Sequence, residues 1–305
     1  VEEHITLLNP ENGWLQNCNS TPFTAAAEFS PKVEDYPNYM SLNRENFRGI
    51  HAIGLLSNGE NYTLDSVIEL AHYSYLPAFK VIIPGLIEAY KSVDYKHPFM
   101  KEAIETLDKW DLRTSKTSVA MTLAHYYGTE VLRNGKRPQP MSSMEFMDYF
   151  GKDAPEGERV KLFETVIDNL TKTFGTWNLP WGEVNRYQRL NGDIKQKFDD
   201  NKPSIPVGFA SGRWGALAAY GVSYTNPDAK KIYGTRGNSF VAVVEFGEKV
   251  KAKSMLAGGQ SGDPKSPHFN DQAQPYVDME FKDVPYYKED VLKAAEEAYA
   301  PGKRN

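Results

Sequence analysis

The segment GGQSGDPKSPHFNDQ, Gly258–Gln272, is a polar loop between a β-rich run and a short C-terminal helix. Asp263, His268, Asp271 and Gln272 could be drawn as metal ligands. Their spacing matches neither a paired-histidine helix motif nor an EF-hand. Pro264 and Pro267 fix the backbone, so the loop is expected to be structured, with its side chains capping turns. The glycines here and in YGTRGNSF read as turn formers. Neither segment matches a Walker loop or a dinucleotide fingerprint, so no phosphate site is expected.

Working outward, GRWGALAAYGVSY and NSFVAVVEFG read as β-rich runs, with EKVKAKSMLAGG as a partner to the second. YYKEDVLKAAEEAYA reads as a closing helix. The stretch 61–180 is helical. Thr63 precedes an apolar stripe at Leu64, Val67, Ile68, Ala71 and Tyr75 that Pro77 is expected to end. Pro98 is expected to open a helix presenting Met100, Ala103, Ile104, Leu107 and Trp110. SVAMTLAHYYGTEVL and ERVKLFETVIDNLTKTFG repeat the pattern, the second stopped by Gly175. Residues 1–60 read as short extended segments, with HITLL a strand and NPENG, Asn9–Gly13, a turn. The expectation is an α+β chain forming one structural unit, 1–305. Its regions are 1–60 (strands), 61–180 (helices) and 181–305 (strands and a C-terminal helix).

Composition excludes several classes. A net charge of −5 with no basic stripe argues against a nucleic-acid partner. The longest apolar stretch, YLPAFKVIIPGLIEAY, is broken by Pro77, Lys80 and Pro84, and falls short of the roughly 20 residues a membrane span needs. VEEHITLLNP has neither the basic start nor the apolar core of a signal peptide. The single cysteine permits no internal disulfide.

That cysteine, Cys18, stands between Asn17 and Asn19 in GWLQNCNSTPF, Gly13–Phe23. A catalytic thiol needs a base to raise its thiolate fraction. None of the six histidines sits in a signature with Cys18, so a packing role is expected. His125, in LAHYYG on a helix beside apolar residues, reads as a satisfied core histidine. Arg48, in ENFRGIHAI, reads from its local sequence as a solvated or salt-bridged side chain.

NPENGWLQNCNSTP, FRGIHAIGLL, LDKWD with TSVAMTL, WGEVNRYQR and GGQSGDPKSPHFNDQ stand in the order seen in the penicillin acylase family. The chain resembles the C-terminal part of the catalytic β chain of these N-terminal-nucleophile hydrolases, which include acyl-homoserine-lactone acylases. The resemblance implies part of a four-layer αββα sandwich, with the strand-rich ends of the chain sharing its sheets. It implies an oxyanion-hole role for Asn19, at the second asparagine of N-x-N-x-x-P, and an active-site supporting role for Arg48. Cys18 then falls at a non-catalytic position. The nucleophile implied is a serine at the N-terminus of an upstream segment, with its own α-amine as base, so none is expected in this chain.

The partners implied are that upstream segment, a small α chain and an N-acyl small molecule, an acyl-homoserine lactone or a penicillin-type amide. No membrane or nucleic-acid partner is implied, and the setting is periplasmic or secreted. No cofactor is expected. Calcium binds some relatives, and KVEDYPNYMSLN supplies no ligand set that can be assigned to it. A second class of function, a non-catalytic binding or structural domain keeping the acylase form, is compatible with the same residues and with the 12% aromatic content.

Overall fold

A strand requires a neighbour to complete its backbone hydrogen bonds, and the first region finds none. The computed structural model describes residues 3–223, 229–300 and 302. Among these, residues 3–46 form three 3-10 turns, Pro22–Thr24, Ala27–Phe29 and Val33–Asp35, and no strand. The expected HITLL strand is therefore corrected to an unpaired extended stretch. The turn after it is present: Gly13 N–H donates to Pro10 O at 2.9 Å, and Asn9 takes φ +45°. Helix α1, Phe47–Ser57, closes the region.

Helix α2, Leu64–Ala71, starts at Thr63 with a reciprocal Thr63–Ser66 capping box. It ends at His72, well before the proline expected to stop it. Pro77 instead occupies the first turn of α3, Pro77–Ser92, where its missing N–H costs nothing. After α4, Met100–Asp108, Ser118 caps α5, Val119–Asn134. Helix α6, Ser143–Lys152, was not anticipated from periodicity, although Ser142 and Glu145 form a full capping box at its start. Helix α7, Glu156–Phe174, ends at Gly175 in the left-handed region (φ +84°), as expected.

Helix α3 is the axis of this bundle, and buries Phe79, Ile82, Ile83 and Leu86 among α4 to α7. It crosses α6 backbone to backbone. A Cβ on Gly85 would lie 1.8 Å from the Gly151 carbonyl oxygen. The Gly85 carbonyl also accepts from the buried Arg159 guanidinium at 3.1 Å.

After the single turn α8, Trp181–Val184, the chain turns to β structure. Strands β1 (Asn185–Tyr187), β2 (Ile205–Pro206), β3 (Tyr220–Ser223) and β4 (Ile232–Gly237) form a sheet in the order β2-β1-β4-β3. Only the β1–β4 pair is parallel. Strand β5, Phe240–Glu245, pairs antiparallel with β6, Lys251–Leu256, as the sequence indicated, and β6 with β7, Lys282–Asp283. GRWGALAAYGVSY is strand only at its end. Gly212–Trp214 is a 3-10 turn, because Gly215 (φ +102°) reverses the chain there. Helices α9, Ala273–Val277, and α10, Lys288–Ala294, complete the chain. The class is thus α+β, with one contiguous buried cluster running from Phe47 to Val277. Among the described residues neither sheet takes a strand from residues 1–60, which corrects the expected sharing of sheets between the two ends.

His125 is a core histidine, as expected. It is 2% exposed, accepts from Trp214 Nε1 at 3.1 Å through Nδ1, and lies against the Trp181 ring. Burial chiefly, then Arg213 and Arg133, lower its pKa to about 3. Burial also lowers those of His51 and His72.

Two predictions follow from this core. Gly85→Ala should destabilise the protein by about 1–3 kcal/mol in urea unfolding, despite the higher helix propensity of alanine, because the added methyl meets backbone that cannot yield. A neutral or stabilising result would contradict the α3–α6 crossing. The second concerns acid. Buried His125 and His51 and half-buried His72 have lowered pKa values when folded but titrate near about 6.5 when unfolded, so the unfolded chain binds more protons below that value. Stability should fall as the pH drops from about 7 to about 5, by up to about 1.4 kcal/mol per unit from His125 and by smaller amounts in the same direction from His51 and His72, before most carboxylates titrate. A constant urea midpoint over that interval would refute it.

Candidate active site

The turn at Asn17–Asn19 is built by its own side chains. Asn17 Oδ1 accepts from the Asn19 backbone N–H at 2.9 Å, an Asx turn, and Asn19 takes φ +55°. Asparagine tolerates this left-handed conformation better than most residues. The start of α1 grips the turn. Asn46 caps the helix by accepting from Arg48 N–H at 3.0 Å and Gly49 N–H at 3.1 Å, while its Nδ2 donates to the Cys18 carbonyl at 3.1 Å.

Arg48 joins the two halves of the site. Its Nη2 donates to Cys18 O at 2.7 Å and to Asn19 Oδ1 at 2.8 Å. The two residues singled out separately by the family resemblance therefore meet directly. A guanidinium only donates, so the amide oxygen of Asn19 must be the atom facing it. Nδ2 then points away from Arg48, and it has no partner among the described residues. Asn19 is exposed and lines a groove of about 510 Å³ with Leu15, Pro22 and Met40. An amide held by its oxygen presents a neutral, oriented N–H donor, the kind of group that stabilises developing negative charge.

The third region backs this arrangement. The Arg48 side chain runs over Gly212, where a Cβ would lie 2.8 Å from Arg48 Cδ. One turn along α1, His51 donates from Nδ1 to the Gly215 carbonyl at 2.8 Å. That tautomer follows from the carbonyl acceptor, and the lowered pKa keeps the ring neutral. Asn46, His51, Gly212 and Gly215 were not identified from the sequence. An asparagine ahead of a helical pattern is a legible cap signal; the Gly212 and Gly215 contacts span more than 160 residues and leave no local signal.

Cys18 forms no thiol hydrogen bond among the described residues. Burial raises its pKa, with Arg48 opposing and Glu45 adding to the rise. A protonated, half-buried thiol suits a packing residue. In the Gly258–Gln272 loop Ser261, Asp263 and Ser266 cap turns, as expected, while His268, Asp271 and Gln272 form side-chain pairs. Asp263 Oδ1 accepts from Lys265 N–H at 2.9 Å, His268 Nδ1 pairs with Asp271 Oδ2 at 2.9 Å, and Gln272 Oε1 accepts from Lys282 Nζ at 2.8 Å. Arg189 ties the loop to β1 by donating to the carbonyls of Gly259, Ser261 and Phe269. For calcium, Glu34 and Asp35 lie exposed in a 3-10 turn, and no third acidic or histidine side chain joins them among the described residues. That donor set does not fit a calcium site.

The profile of the family described as Penicillin amidase matches residues 1–293. This chain belongs to that family of amide hydrolases. Its structure is similar to a thermostable penicillin G acylase from Alcaligenes faecalis, with a TM-score of 0.50 and 16% identity over 96% of this chain. The similarity carries the fold, that of the N-terminal-nucleophile hydrolases. The chain spans 57% of the length of that acylase.

If Arg48 holds the Asn19 turn to α1, Arg48→Met should cost about 1–2 kcal/mol, the lower range for charge-assisted bonds at a half-buried site. It should also raise amide exchange at Cys18 and Asn19 well above that at Leu123 in α5. Unaltered exchange in the turn would show that Asn46 alone holds it.

Proposed function

We propose that this chain supplies the oxyanion-stabilising part of an acylase. The observation that carries this reading is the Arg48–Asn19 bond, which leaves the Asn19 amide N–H as the free, oriented donor beside a groove. In the reaction, a serine nucleophile adds to the carbonyl carbon of an N-acyl amide and negative charge collects on the carbonyl oxygen. Asn19 Nδ2–H donates to that oxygen, and Arg48 strengthens the donor by polarising the amide from its oxygen side. Collapse of the intermediate expels the amine, and water then releases the acid.

The nucleophile is the N-terminal serine of an upstream segment, assembled with a small second chain. The substrates are amides joining an apolar acyl group to a polar amine, either acyl-homoserine lactones or penicillin-type compounds. The apolar lining of the groove at Leu15, Pro22 and Met40 supports an apolar substrate portion. We place the assembled enzyme in the periplasm or outside the cell.

The test is kinetic, on the assembled enzyme. Asn19→Ala should lower kcat by about 10²–10³-fold, about 2.7–4 kcal/mol, with KM little changed. Asn19→Asp should be at least as damaging, since a carboxylate would face the oxyanion. Cys18→Ser should stay active. Asn17→Ser, which keeps an acceptor for the Asn19 N–H, should also turn over, because Asn17 acts through the turn and not on substrate. A correctly assembled Asn19→Ala enzyme with near-normal kcat would remove Asn19 from the mechanism.

A further inference from the structure

A cleft larger than the groove beside Asn19 shares no lining residue with it. It measures about 970 Å³ and lies over the β1–β4–β3 sheet, walled by Tyr187, Tyr220 and Tyr276. Two of these walls are fixed by hydrogen bonds: Tyr187 Oη donates to Asn270 Oδ1 at 3.2 Å and Tyr220 Oη to Arg186 O at 2.8 Å. The Tyr220 ring crosses close to Gly234, where a Cβ would come within 2.2 Å of its hydroxyl. Opposite, Arg236 crosses Gly221 at the β3–β4 bulge, and a Cβ there would lie 2.6 Å from Arg236 Cγ. Small residues on the strands thus make room for an aromatic wall and a cation.

The charge in this cleft is one-sided. Among the described residues Arg236, Lys195, Lys197 and Arg189 line it against a single carboxylate, Asp193. Among the described residues none of the four cations forms an ion pair. Among the described residues Arg189 is hydrogen-bonded only to carbonyls, which take three of its donors and leave its charge uncompensated. The groove beside Asn19, by contrast, has no Lys, Arg, Asp or Glu in its lining. A concave surface of one sign concentrates ligands of the other, and the half-buried Tyr187 supplies stacking area. We infer that this cleft is a second binding site, for a small aromatic carboxylate whose ring lies against Tyr187 and whose anionic end meets Arg236 and the Lys195–Lys197 loop. This site does not depend on the role proposed for Asn19.

Isothermal titration of the full chain with 4-hydroxybenzoate and its neutral isostere 4-hydroxybenzamide tests this. The carboxylate should bind at least about ten-fold more tightly at low salt, the size of effect expected from one charge-assisted contact. The margin should shrink in high salt, since the basic rim is exposed. Arg236→Gln, an exposed position where folding is not at stake, should remove most of the preference, whereas Asn19→Ala should leave it intact. Equal affinity for the two probes, no binding of the carboxylate at millimolar concentration, or an unchanged preference in Arg236→Gln would overturn the proposal. So would displacement of the probe by a glutamate-rich peptide that binds far more tightly, because the cleft would then belong to a polypeptide.

Discussion

The guanidinium of Arg48 donates to two oxygens of a single turn, the Cys18 carbonyl and the Asn19 side-chain amide. The geometry of the site descends from that contact. A guanidinium carries donors and no acceptor, so it selects one of the two orientations open to the asparagine amide and leaves the N–H side outward. It also places its positive charge behind the amide carbonyl, the side from which an oxyanion donor is strengthened. The Asx turn at Asn17 and the Asn46 cap hold the same few atoms from other directions. The position of Asn19 is therefore over-determined, as a strained left-handed residue requires.

Arg48 is itself held by parts of the chain distant in sequence. Helix α1 packs on the Gly212–Trp214 turn, where Gly212 admits the arginine stem and Gly215 offers its carbonyl to His51. Trp214 in the same turn reaches back to His125 in α5 and stacks near Phe79 in α3. The helical bundle thus reaches the candidate site in part through this tryptophan, alongside the contact of Pro77 in α3 with Gly215. Burial lowers the pKa values of His51 and His125, which favours their neutral forms in the apolar layer behind Arg48.

The third region combines two tasks. Arg189 spans from the end of β1 to the Gly258–Gln272 loop, and the loop orders itself through Asx-type turns and the His268–Asp271 pair. Rigidity there comes from polar contacts, because a loop on the surface has little apolar area to bury. The same arrangement leaves the arginine's charge uncompensated at the edge of the large cleft.

Several features were determined by the sequence alone, because their causes are local. The Thr63 cap, the Gly175 stop, the turn after Asn9, the β5–β6 pair and the turn-capped Gly258–Gln272 loop each follow from short-range chemistry. So did the core character of His125, from its apolar helix neighbours, and the family, from the order of its motifs. The strand expected at HITLL failed because strand formation depends on a partner, which residues 4–8 do not have. Pro77 was mistaken for a stop because proline suits both the end of one helix and the first turn of the next, and the intervening chain decides between them. Only the tertiary structure brought Asn19, Arg48, His51 and Gly215 together. Their contacts cross 29 and 164 residues of chain. Such a meeting is set by how the helices and turns pack, which no local pattern encodes.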